Sequence, residues 1–140
     1  MTDPGTDPEE VIRQSYRELT GSVPGGIERR LELAAATERL GSVAAVEAMR
    51  RALIMDNPLG LKHGQIVHFT QLVALGKGGP TRLHARAALR AGATLPELMG
   101  AVELALITSG VPAYSLGVEV LSKLLIEERT APDGELPGAN

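Results

Sequence analysis

The sequence predicts an all-α chain, and three observations carry that expectation. Apolar residues recur at three- and four-residue spacing over most of its length. Start and stop signals for helices punctuate those stretches: an acidic or hydroxyl residue followed by Pro, then Gly beyond the end. No segment alternates with the two-residue period of a half-buried strand, and no internal repeat is found. The expected architecture is a compact bundle of about six to seven helices over 8–128, one domain by size. Residues 1–7 are expected to be a loose N-terminal tail and 129–140 a disordered C-terminal tail rich in Pro, Gly and polar residues.

The first helix starts at Asp7-Pro8-Glu9-Glu10, with Asp7 as cap, Pro8 at the first position and Glu10 closing a capping box. Ile12, Tyr16 and Leu19 share its inner side. Thr20 to Gly26 is a loop, and a second helix from about Ile27 turns Leu31 and Ala34 inward. Gly41-Ser42 opens a third, with Val46, Met49 and Leu53 expected inside and a Glu47/Arg51 pair outside. Asn57-Pro58-Leu59-Gly60 breaks the chain again.

The fourth helix, about Leu61 to Leu75, is apolar on nearly every side, which marks a helix central to its domain or held at a subunit contact. Gln65 shares a face with Leu61, His68, Phe69 and Leu72, while His63 points elsewhere. The fifth helix follows Gly76-Lys77-Gly78-Gly79, with Gly79 as cap, Pro80 first and Gly92 as a left-handed stop. His84 lies there with Ala87, Ala88 and Ala91, a small-residue face that another helix can approach closely. Arg82, Arg86 and Arg90 form a stripe on the opposite side, expected to be solvated or at an interface. Thr94-Leu95-Pro96-Glu97 is a second capping box, heading a helix with Leu98, Met99 and Val102 inside. A last helix runs from about Ala113 to Glu128.

Composition narrows the function classes. Fourteen basic against 17 acidic residues, a net charge of -3, and only Tyr16, Phe69 and Tyr114 as aromatics argue against a nucleic-acid partner. The longest uncharged run, between Glu103 and Glu119, is interrupted by Gly110 and Pro112 and is too short for a bilayer, so no membrane partner is expected. The opening residues are acidic and polar, unlike a signal peptide. With no cysteine there is no disulfide, thiolate metal site or thiol redox chemistry. A cytoplasmic location is the expectation, and the excess of Arg over Lys fits a GC-rich bacterium.

Metal is not expected, because His63 and His68 are five apart and diverge on a helix, and no HExxH or Asp-x-Asp loop occurs. Gly76 to Gly79 before a helix resembles a phosphate cradle only weakly; a glycine-rich linker is commoner. No nucleophile elbow is present. What remains is acid–base work by His84, with Gln65 and His68 of the buried fourth helix. A core histidine donating to a carbonyl is the commoner role for such a residue.

Several blocks, in order, carry a resemblance: Tyr16 with Gly21-Ser22-Val23-Pro24; Leu61-Lys62-His63-Gly64-Gln65-Ile66-Val67; a His-x-x-x-Ala-x-x-x-Gly-x-Thr-x-x-Glu string from His84 to Glu97; and Gly110-Val111-Pro112-Ala113. From roughly Tyr16 to Leu125 the chain resembles the carboxymuconolactone decarboxylase family, which shares its fold with alkyl hydroperoxidase D. The resemblance implies an all-helical fold and a homo-oligomer, a trimer or hexamer, with sites near subunit contacts. The peroxidase branch uses a glutamate, a Cys-x-x-Cys pair and a histidine; here Gln65, Lys77 and Pro80 occupy the first three places and only His84 is kept. Thiol peroxidase chemistry is thereby excluded. The decarboxylase branch removes carbon dioxide from a small γ-lactone acid without metal or organic cofactor, and His84 is compatible with it. His68 stands where that family usually has a small apolar residue, and returns a titrating group to the neighbourhood of Gln65. Two readings result: a cofactor-free lyase or isomerase of a small carboxylated or enolisable molecule, whose carboxylate-holding residue comes from a neighbouring subunit, or a catalytically retired relative that binds a ligand or builds an oligomer.

Overall fold

Asp7 caps the first helix as expected, accepting from the Glu9 backbone N–H at 3.0 Å, with Pro8 in the first turn. Glu10 does not close a box; its carboxylate instead accepts from Arg17 at 2.6 Å. The computed structural model describes residues 7–131, so of the tails expected at 1–7 and 129–140 all but residues 7 and 129–131 lie outside the described residues. Within them are seven helices and no strand: α1 (Pro8–Thr20), α2 (Gly25–Ala36), α3 (Leu40–Met55), α4 (Gly60–Ala74), α5 (Gly78–Arg90), α6 (Leu95–Ser109) and α7 (Val111–Thr130). The chain is all-α. The last helix continues two residues past the expected end at Glu128.

The helices fall into two groups, α1–α3 and α4–α7. In the first, α3 packs against both α1 and α2. Ile12, Tyr16 and Leu19 of α1 and Leu31 and Ala34 of α2 are buried, as their spacing predicts. Helix α2 begins at Gly25, ahead of the expected Ile27, because Pro24 can serve as its extended cap residue.

Helix α3 presents a different face from the one expected. Val46 is 50 % and Leu53 64 % exposed, whereas Glu47 is 8 % exposed. The inward stripe runs through Val43, Glu47, Arg50 and Ile54, about 100° around the cylinder from Val46, Met49 and Leu53. Partners decide the matter. Glu47 accepts from the Tyr16 hydroxyl at 3.0 Å, from Arg30 at 2.5 Å and from Arg50 at 3.1 Å. Arg51 pairs with Glu18 of α1, not with Glu47.

In the second group α4 packs against α5, α6 and α7, so it is central to these four helices. Phe69 and Val73 of α4 are fully buried with Ala85 and Ala88 of α5, Leu98 and Val102 of α6, and Leu121 and Leu124 of α7. The Thr94–Glu97 capping box is complete, and Glu97 also meets Lys62 of α4 at 2.9 Å. The Lys62 ammonium and the Thr94 backbone N–H hold the Glu97 carboxyl below its ordinary value. Gly117 of α7 lets α6 approach: a Cβ there would stand 2.5 Å and 2.7 Å from the Val102 methyls. No helix among the described residues is long and apolar enough to cross a membrane.

Candidate functional site

Helix α5 starts at Gly78 with Lys77 as its cap residue, two residues earlier than the expected cap Gly79 and first residue Pro80. Its small-residue face meets α4, and Ala85, Ala87 and Ala88 are all buried. The stop at Gly92, φ 100°, follows the expected left-handed geometry. Between these ends His84 is 2 % exposed, directed at α4.

There it meets Gln65, also 2 % exposed, whose Oε1 lies 2.7 Å from His84 Nδ1. A buried amide in an apolar helix needs such a partner, since leaving it unpaired costs about 1–3 kcal/mol. An amide oxygen accepts, so Nδ1 carries the proton and donates. The basic lone pair of the neutral ring is then at Nε2. His68, one turn along α4 from Gln65, places its ring 3.9 Å from the His84 ring at 38°. His68 is half-buried where His84 is buried, so the pair leads from the inside of the helix group toward its surface.

The arrangement therefore has three parts: a ring with a fixed tautomer, an amide that fixes it without contributing charge, and a second ring beside it. The structure brings together His84, His68 and Gln65, the three residues singled out from the sequence. His63 is exposed and not part of this group. Lys77 and Pro80 stand exposed at the head of α5.

The arginine stripe of α5 departs from expectation. Arg86 is buried, and it donates to Glu127 Oε2 of α7 at 2.7 Å, while Arg82 contacts the other carboxylate oxygen. Only Arg90 is exposed. The reason is charge: two guanidinia on one side of α5 draw a carboxylate from α7, and Arg86 is buried against it while Arg82 stays partly exposed. Burial, with the Arg82 charge beside it, lowers the Arg86 pKa from its ordinary value. Sequence reading missed Glu127, although its place four residues beyond Lys123 on the last helix left it free to face inward or outward.

The other missed cluster is in α1–α3. Tyr16 donates to Glu47, Arg50 donates to the Tyr16 oxygen, and the Arg50 guanidinium lies 5.7 Å from the Tyr16 ring centre. Burial raises the Tyr16 phenol above its ordinary value, with Arg50 opposing and Glu47 reinforcing. Tyr16 at a buried position of α1 was the available signal, since a buried phenol requires a partner.

The model of the carboxymuconolactone decarboxylase family matches residues 41–123, which include α4 and α5 with all three clustered residues. No curated protein and no solved structure matches the chain.

Proposed function

Because the chain belongs to the carboxymuconolactone decarboxylase family, we propose that it is a cofactor-free acid–base enzyme acting on a small carboxylated, lactone or enolisable molecule. The observation that carries this reading is the Gln65–His84–His68 group, with Nδ1 of His84 tied to an amide 2.7 Å away and a second imidazole 3.9 Å off. Such a ring accepts a proton at Nε2 from a carbon acid next to a carbonyl. In isomerisation it returns that proton at the rearranged position. In decarboxylation no C–H proton is taken first: the electron pair of the breaking C–C bond enters the carbonyl as an enolate, and the ring, protonated from solvent, donates to the carbon that carbon dioxide has left. His68 is placed to exchange that proton with solvent. Thiol peroxidase activity is excluded, since the sequence contains no cysteine.

The test is proton exchange. Small lactone acids and β,γ-unsaturated or β-keto acids are incubated with the protein in D2O, following deuterium entry by NMR and carbon dioxide release. Expected is exchange on at least one member of this class above the buffer rate, unchanged by a chelator. A panel-wide rate equal to buffer supports the second reading, a retired relative. The full burial of Phe69 beside the histidines favours that reading, because a filled core leaves less room for substrate.

The same proposal includes assembly with further copies of this chain. Leu104 is 64 % and Ile107 79 % exposed on α6, with Val111 beside them at the head of α7, and α3 exposes Val46, Met49 and Leu53. Apolar faces of this kind are costly on a monomer. Light scattering at micromolar concentration is expected to give three or six times the 14.7 kDa chain mass. A mass of one chain overturns the assembly.

A further inference from the structure

We propose that the cleft between α1 and α3 is a second binding site, for a small carboxylate carrying a short apolar chain. It goes beyond the acid–base reading and does not rest on it. The cleft is an open groove whose roughly 330 Å³ of empty space includes solvent at its mouth, so a ligand lies along it and is not enclosed. Leu19 of α1 and Ile54 and Met55 of α3 give it apolar lining, and Tyr16, Glu47, Arg50 and Arg51 give it polar lining.

Charge selects an anion. Two arginines, Arg50 and Arg51, and one carboxylate, Glu47, are among its lining residues, leaving one positive charge in excess there. Both oxygens of Glu47 already accept from arginines, and Oε2 also accepts from Tyr16, so its charge is committed. Arg50 makes all these bonds through Nη1. Among the described residues its Nε and Nη2 have no acceptor, so the fork that reads a carboxylate side-on is open. Arg51 spends its Nη1 on Ser15 and Glu18, both on the exposed side of α1, and can turn to a ligand at little cost. A bare dianion gains nothing from Leu19, Ile54 and Met55; a monocarboxylate with a chain of about six carbons covers them.

The sparse aromatic content supplies the probe, since Tyr16 and Tyr114 are the only tyrosines. The full chain is titrated with sodium hexanoate, and in parallel with acetate, hexanol and hexylammonium, following both tyrosine rings by NMR. Expected is a saturable shift of Tyr16 and not Tyr114, with a Kd of about 0.1–1 mM for hexanoate and weaker or no response to the other three. Arg51→Gln should weaken binding about five-fold. Met55→Glu, which adds a negative charge at an exposed position of the wall, should abolish it. His84→Gln should leave it unchanged, which separates this site from the α4–α5 group. No saturable Tyr16 shift up to about 10 mM overturns the proposal, because such affinity is too weak for a built site. So does an equal response to hexanol or hexylammonium, or binding insensitive to both Arg51→Gln and Met55→Glu.

Discussion

Glu47→Ala is expected to cost about 3–5 kcal/mol of stability, the loss typical when one member of a buried ion network is removed. The carboxylate is 8 % exposed and accepts from Tyr16, Arg30 and Arg50 together. Its removal leaves a phenol without its acceptor and brings two guanidinia together without a counter-charge. Glu47→Gln keeps an acceptor for Tyr16 and should lose clearly less. Urea denaturation reads the difference as a lower midpoint at similar slope, and amide exchange should localise it to α1–α3. Tyr16 adds a pH signature. Its folded pKa lies above the ordinary 10.0, through burial first, so its neutral form is favoured by folding. That contribution is complete below the unfolded value and is lost as pH rises through the folded one. Stability should therefore fall above about pH 10, and the fall should be absent in Tyr16→Phe. Equal midpoints for wild type and Glu47→Ala would show that the network contributes nothing net.

The same helix shows where sequence reasoning runs out. Helix existence was legible in the caps and periodicity: Asp7-Pro8, Thr94–Glu97 and Gly92 each act where the pattern places them. So was the inward face of α1 and α2, because only one side of each offered a continuous run of large apolar residues beside a plausible core. Helix α3 offered two sides. Val46, Met49 and Leu53 are the more apolar side, yet Glu47 has two donors waiting on other helices, Tyr16 and Arg30, besides Arg50 on its own, and pairing a buried charge outweighs covering a few methyl groups. Tyr16 and Arg30 are 31 and 17 residues from Glu47 in sequence, so no local pattern reveals them. Glu127 is the same case on α7, bound to Arg82 and Arg86 more than 40 residues away.

The α4–α5 cluster was legible for the opposite reason. Gln65 and His68 are one turn apart on a helix too apolar to tolerate unpaired polar groups, and His84 sits among alanines that invite a helix close. What spacing does not convey is that the two imidazoles meet in a tilted contact, or which nitrogen of His84 faces the amide. Both depend on the rotation of α4 against α5.

His84→Gln is expected to lower the rate of carbon–hydrogen exchange by about 10²–10⁴-fold, the range a positioned acid–base group contributes. Glutamine fills much of the space and preserves a hydrogen bond to Gln65, so the loss reports the missing imidazole and not a collapsed core. His68→Ala should be milder, since it removes the path to solvent and leaves the base in place. The decisive member of the series is Gln65→Glu. A carboxylate 2.7 Å from Nδ1 stabilises the imidazolium, so the His84 pKa rises. If the neutral ring is the working form, wild-type activity increases as pH climbs through the His84 pKa, and Gln65→Glu moves that limb to higher pH without lowering its plateau much. The sign is what matters: a merely structural amide would alter stability and plateau but not the position of the limb. Activity that survives His84→Gln, or a pH limb that stays in place in Gln65→Glu, removes His84 from the chemistry and leaves the retired-relative reading in its stead.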